Sequence, residues 1–212
     1  MNGDDTILEF LDVVRRLRAE CPWKAAQTHR SLARYLLEET YETLDALDTD
    51  DAVLLREELG DLLLQVFLHA TIAEESGEFT MADVTGDITQ KMYGRNPHVF
   101  GDPQDRLDGS KLDPAAVNEL WEARKAEEKQ RASLTDGLPP GLPALLYADK
   151  VLDRLARDAT SDTSNERERH LAGAEVPPRG DVGERLLALV AEARVDGVDP
   201  EQALRDAVRR LL

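Results

Sequence analysis

Two short acidic windows, Glu38-Glu39-Thr40-Tyr41-Glu42 and Glu58-Leu59-Gly60-Asp61, hold residue types at spacings that could do chemistry. Residues three apart are neighbours on a helix surface, so Glu39 pairs with Glu42 and Glu58 with Asp61. Packing the two helices antiparallel through a short turn brings both pairs together. Clustered carboxylates are hard oxygen ligands suited to Mg²⁺ or Mn²⁺. Mg²⁺ commonly completes its octahedron with water and substrate phosphate, so the implied ligand is a phosphate compound. Two ions in such a site could bind a scissile phosphate and activate a water. Glu38 lies just off the line of the other acids, where it could orient or deprotonate that water. The competing reading is a solvated acidic face, the ordinary meaning of acids on helices. Two pairs on facing seams of one hairpin favour the metal.

The elements that must position these acids are legible as helical periodicity. Leu32, Tyr35, Glu39, Glu42 and Ala46 recur at steps of three and four. So do Leu54, Glu58, Asp61, Gln65, Leu68 and Ile72. That spacing marks the inward seam of packed antiparallel helices. Four carboxylates thus stand where aliphatic side chains are usual, and buried charge needs protons, basic partners or cations. The helices are expected over about 28–47 and 51–75, with Thr28 or Ser31 as N-cap and Ser76-Gly77 as the closing cap. Before them, Asp5–Ala19 forms a helix with an Ile7, Phe10, Leu11, Val14 and Leu17 stripe, stopped by Cys21-Pro22. After them, Thr80 caps a helix to about Tyr93, which Gly94 and Asn96-Pro97 close. A Pro/Gly/Asp-rich loop covers 96–113 and a helix runs from Pro114 to about Arg131.

Further candidates sit on those later elements. Lys91 and Arg95, one turn apart, could bind phosphate or simply complement a helix C-terminus. Trp121 and Lys125 share a face, where the ring could stack on a nucleobase and the ammonium reach a phosphate; a Trp closing a core is the alternative. Trp23 has the same two readings. His69 reads as a satisfied structural histidine, and nothing decides His98. Some chemistries are absent from the pattern. Neither Glu42 nor Glu58 has the Glu-x-x-His partner of a di-iron bundle. There is no Walker loop, no GxGxxG and no nucleophile elbow.

Composition bounds the rest. Few aromatics, many Leu and Ala, and little alternation point to an all-α protein. The 212 residues allow one good core with an appendage, and the net charge of -17 argues against binding a nucleic-acid polymer. Cys21 is the only cysteine, so no intrachain disulfide forms and a reducing, cytoplasmic setting fits. The acidic start has no signal-peptide character and no apolar run is long enough for a bilayer. Residues 134–157 form a Gly/Pro-rich connection and a helix from about Leu142 to Arg157. Residues 158–180 read as a disordered linker. Residues 181–212 return to two short helices split at 197–200. That tail resembles a worn copy of the central stretch, Gly183-Glu184-Arg185-Leu186-Leu187 against Gly60-Asp61-Leu62-Leu63-Leu64.

Together these residues resemble the MazG family of nucleoside triphosphate pyrophosphohydrolases, related to dimeric dUTPases. The likeness rests on Cys21-Pro22-Trp23, Gln27-Thr28-His29, the runs Tyr35–Glu42 and Glu57–Val66, Asn96–Asp102, and Trp121-Glu122 with Lys125. The chain departs from the family pattern at Lys24, where Asp is usual, and at Gly94 and Asn96. The resemblance implies an antiparallel helical bundle completed by dimerisation, with residues 1–133 as the catalytic domain and 181–212 as the remnant of a second such domain. It implies that Glu39, Glu42, Glu58 and Asp61 hold Mg²⁺, for which Mn²⁺ can substitute. It implies that Lys91, Arg95 and Lys125 contact the triphosphate and that Trp121 lies near the base. The implied reaction is NTP plus water to NMP plus pyrophosphate, attacked at the α-phosphorus, in a house-cleaning role. The implied assembly is a homodimer or higher homo-oligomer, with no membrane partner. The eroded tail keeps a non-catalytic nucleotide-binding regulator as the alternative, and another α,β-diphosphate, such as a phosphoribosyl nucleotide, as a different substrate.

Overall fold

A computed structural model describes residues 3–101, 113–129, 133–161 and 181–211. Ten helices and no strand occur among the described residues, as the all-α expectation required. They are α1 (Gly3–Glu20), α2 (Pro22–Ala25), α3 (His29–Thr49), α4 (Ala52–Glu75), α5 (Met81–Arg95), α6 (Pro97–Phe100), α7 (Pro114–Lys129), α8 (Ala144–Ser161), α9 (Val182–Val195) and α10 (Pro200–Arg209). The chain divides into two compact units, Met1–Trp121 and Glu122–Leu212. The 158–180 linker expectation largely lies outside the described residues; α8 itself extends to Ser161.

The first unit is built on the α3–α4 hairpin. Thr28 caps α3 reciprocally: Ser31 N–H donates to its Oγ1 at 3.2 Å and Thr28 N–H donates to Ser31 Oγ at 2.9 Å. That satisfies donors the first turn would otherwise leave open. Asp50 then turns left-handed (φ 55), a conformation a short polar side chain tolerates. Asp51 starts α4 by accepting from the N–H groups of Val53 and Leu54 at 2.8 and 3.1 Å. Two residues thus reverse the chain, so the helices can only pack antiparallel. Their shared core is Val14 of α1, Leu32, Phe67 and Leu68, flanked by Phe10, Leu11, Tyr35, Leu64, Ile72 and Met81. At the far end Gly77 (φ 70) closes α4, and Thr80 caps α5.

Three boundaries differ from expectation. The Cys21–Gln27 link contains the one-turn helix α2, opened by Pro22 at its first position. Residues 97–100 form α6 rather than loop. Helix α5 passes through Gly94 and ends only at Arg95. A helical glycine costs about 1 kcal/mol relative to alanine and does not stop a helix by itself, whereas Pro97 restricts the residue before it. Asn96 then bonds Met92 O through both its backbone N–H and Nδ2.

Arg18 locks α1 and α2 to the end of α4. It is buried, donates to the carbonyls of Lys24, Ala25 and Gln27, and pairs with the Glu75 carboxylate at 2.5 Å. Arg15 adds a pair with Glu74 at 2.8 Å. Arg18→Ala removes the side-chain donor shared by three carbonyls and a carboxylate, leaving Lys24 O only the Gln27 N–H, so urea unfolding should show a loss of roughly 3 kcal/mol. A loss near zero would mean that Arg18 does not hold this corner.

In the second unit, α8 and α9 share a core of Leu152, Val190 and Ala191 with Leu145, Ala148, Leu155 and Leu187. Arg194 ties α9 to Asp149 and Asp153 at 2.7 and 3.0 Å. Gly197 (φ 69) ends α9 in the same left-handed cap as Gly77. Glycine caps are general, so this likeness alone does not make the tail a repeat.

Candidate functional site

The hairpin register decides which side chains meet. Thr43 Oγ1 lies 3.5 Å from Glu58 O, and His29 Nδ1 lies 2.7 Å from His69 Nδ1. The whole seam therefore runs antiparallel, with its α3 positions descending as its α4 positions rise. From the first of those points toward the second stand Glu58, Glu39 and Asp61, which each offer a carboxylate oxygen within 4.8 Å of the others. Glu39 and Glu58 are half-buried. Burial raises the Glu39 pKa, and the facing charges of Asp61 and Glu42 raise it further. Burial, Glu42 and Asp61 likewise raise that of Glu58. Like charges this close disfavour one another's ionisation unless a cation or protons intervene.

Glu42 is exposed beside the cluster, one turn along α3 from Glu39, and its charge also opposes Glu39 ionisation. Glu38 is exposed on α3 and outside the group of three. The donor set fits a hard divalent ion. Opposite ligands of Mg²⁺ stand about 4.2 Å apart, given bonds of about 2.1 Å, so the oxygens need only side-chain rotation to close on one ion. Thr43, buried one turn from Glu39, satisfies its hydroxyl by donating to Glu39 O at 2.7 Å.

The cationic and aromatic candidates are placed differently from one another. Lys91 is exposed on α5. Arg95 is buried, with its guanidinium 5.1 Å from the Trp121 ring centroid. That cation–π contact joins the end of α5 to the middle of α7 and holds Arg95, whereas a helix ending at Gly94 would have loosened it. Lys125 pairs with Glu122 at 2.9 Å, and Arg157 takes the other Glu122 oxygen at 2.9 Å. Trp23 is half exposed; its ring meets Tyr35 edge-on at 5.9 Å and carries the Lys24 ammonium 4.8 Å above it.

Residues 27–100, which include the whole hairpin, match the MazG nucleotide pyrophosphohydrolase domain family. A Streptomyces cacaoi protein described as an uncharacterized 26.1 kDa protein in the blaB 3' region is 42% identical over 207 residues, covering 95% of this chain and 77% of that one. The nucleoside triphosphate pyrophosphohydrolase/pyrophosphatase MazG of Thermotoga maritima is 34% identical over 96% of this chain and 82% of its own length. The chain belongs to the MazG family. Its family places it among the hydrolases. The nucleoside triphosphate pyrophosphohydrolase of Escherichia coli is 41% identical over 74% of this chain but 58% of its own length, so this MazG chain spans only part of that relative.

Sequence reasoning missed the pairing of His29 with His69. The rings lie nearly coplanar, 5.0 Å between centroids and 10° between planes, and His69 Nε2 is buried without a hydrogen-bond partner among the described residues. The expected satisfied histidine is thus satisfied on one nitrogen only. Gln65, one turn before it on α4, is buried with its Oε1 equally unpartnered. The missed signal was register: once Asp50-Asp51 is taken as the turn, position 29 falls opposite position 69.

Proposed function

We propose that this protein hydrolyses nucleoside triphosphates to nucleoside monophosphate and pyrophosphate, with water attacking the α-phosphorus. The observation that carries the proposal is the convergence of Glu39, Glu58 and Asp61 oxygens within 4.8 Å on a scaffold of the MazG family. Relatives named as nucleoside triphosphate pyrophosphohydrolases support the substrate class. Glu39, Glu58 and Asp61, with Glu42 alongside, would hold Mg²⁺ or Mn²⁺. The bound ion would supply charge neutralisation on the phosphates and a more acidic water. Glu38, exposed beside the cluster, orients the attacking water and takes its proton. Lys91 and Arg95 would meet the polyphosphate, Trp121 would lie near the base, and Trp23 would flank the bound nucleotide.

A second copy of the chain fits this reading. Leu37, Tyr41, Leu59 and Leu63 are each more than 40% exposed along α3 and α4. Apolar rows of that extent on a hairpin ask for cover, and a homodimer supplies it. Clearing non-standard nucleotides is the cellular role that suits broad triphosphate hydrolysis. The free Cys21 thiol suits a reducing cytoplasm, and among the described residues no helix is long and apolar enough to cross a membrane.

The test is pyrophosphate release from each NTP and dNTP with Mg²⁺, on the full chain. Equimolar NMP and pyrophosphate are expected. Orthophosphate as the product, or nucleotide binding without turnover, would sink the proposal; the second outcome would favour a regulator. Turnover confined to a phosphoribosyl α,β-diphosphate would move the substrate class.

A further inference from the structure

The geometry points to Gln65 and His69, with His29 behind His69, as the place where the edge of the substrate's nucleobase is read. This inference rests on the acidic cluster being the polyphosphate end of the site. Gln65 is 4% exposed, and its Oε1 has no hydrogen-bond partner among the described residues. His69 Nε2 is buried in the same condition. A buried polar atom left without a partner carries its full desolvation penalty, so two of them one turn apart on one helix call for a ligand that satisfies both.

Their position relative to the acids is set by the helix. Asp61, Gln65 and His69 are spaced by four on α4. A rise of 1.5 Å per residue places Gln65 about 6 Å and His69 about 12 Å along the axis from Asp61. A nucleotide whose α-phosphate rests at the acids and whose sugar follows the seam brings its base to that level. On α3 the register places Tyr35 across from Gln65, one turn from Glu39 on the His29 side. Tyr35 and the Trp23 edge packed on it at 5.9 Å give an aromatic flank suited to a planar ring.

The polar chemistry also indicates how the base is read. Gln65 Oε1 accepts from a ring N–H or an exocyclic amino group. His69 Nε2 takes the neighbouring group, and its role depends on His29. The two Nδ1 atoms lie 2.7 Å apart and share one proton. When His69 supplies that proton, its Nε2 is a bare acceptor; when His29 supplies it, His69 Nε2–H is a donor. The pair therefore accommodates either a donor or an acceptor at the same base position. That tolerance suits one site serving several bases, while a group without either function is rejected.

The experiment compares kcat/KM for the four common dNTPs and for base-free ribose 5-triphosphate, using full-length protein, Gln65→Met and His29→Leu. Thermal melts accompany each variant. Gln65→Met keeps the shape and removes the orphan atom, so the fold should melt at the same temperature or higher. Its preference for dNTPs over the base-free compound should fall about tenfold or more. His29→Leu, at an exposed position, should reorder the four bases. The assignment is overturned if both variants keep the wild-type ranking of all five compounds within twofold, or if every rate falls equally. Wild-type protein inactive on all five compounds, base-free included, would instead overturn the pyrophosphohydrolase reading and this inference with it.

Discussion

Glu39→Gln is expected to lower pyrophosphate release by about 10³-fold, the scale of several kcal/mol of charge stabilisation that a bound cation supplies. The same change should make the metal-free protein more stable. Glu39 is half-buried, and burial, then Asp61 and Glu42, oppose its ionisation. A neutral amide of the same shape removes that repulsion, and the metal-free melting temperature should rise by roughly 2–4 °C. Opposite signs on activity and stability distinguish a ligand site from a structural acid. Glu38→Gln supplies the contrast: its carboxylate is exposed and outside the group of three, so it should cost turnover without the gain in stability. Paired melts and pyrophosphate assays decide the matter. A Glu39→Gln protein that turns over at the wild-type rate, or melts lower without metal, defeats the assignment.

Mg²⁺ should reverse the pH dependence of stability. Glu39 and Glu58 lie above the usual carboxylate range in the folded chain. The folded protein therefore binds their protons more tightly than the unfolded chain does. Their stabilising contribution is complete below the unfolded carboxylate pKa and is lost as pH rises through the raised folded values. Without metal, acidification from pH 7 to about 5 should raise the melting temperature. Further acid should lower it, because other carboxylates behave in the opposite way. The Arg18 hydrogen bond holds Glu75 below its usual range. Burial opposes the shift at Glu122, but Lys125 and Arg157 hold that carboxyl low as well. Their contributions, present above the unfolded value, are lost as pH falls through the lowered ones. At 100 times its Kd, Mg²⁺ adds about 2.7 kcal/mol at neutral pH, and protons displace it as the acids titrate. Scanning calorimetry at several pH values, with Mg²⁺ and with chelator, tests this. A Mg²⁺ shift of equal size at pH 5 and pH 7.5 would show that the ion binds elsewhere.

The long helices, their capping residues Thr28, Ser76-Gly77 and Thr80, and the acidic seam were legible from the amino-acid sequence because each depends on neighbours within one or two turns, whereas the one-turn helices α2 and α6 were not. A period of three to four, a hydroxyl before it and a glycine after it are local physics. The acid pairs were legible for the same reason, since Glu39 and Glu42, or Glu58 and Asp61, are neighbours on any helix. Tertiary structure decided the rest. The two-residue turn at Asp50-Asp51 set the register that gathers Glu39, Glu58 and Asp61 while leaving Glu42 at the margin. The same register set His29 against His69, forty residues apart in the chain, and left Gln65 one turn away with an unanswered oxygen. Burial of Arg95 against Trp121 followed from α5 running on through Gly94, a choice that Pro97 and the Asn96 bonds made and glycine alone did not. Periodicity states which face a residue takes on its own helix; only packing states what stands opposite.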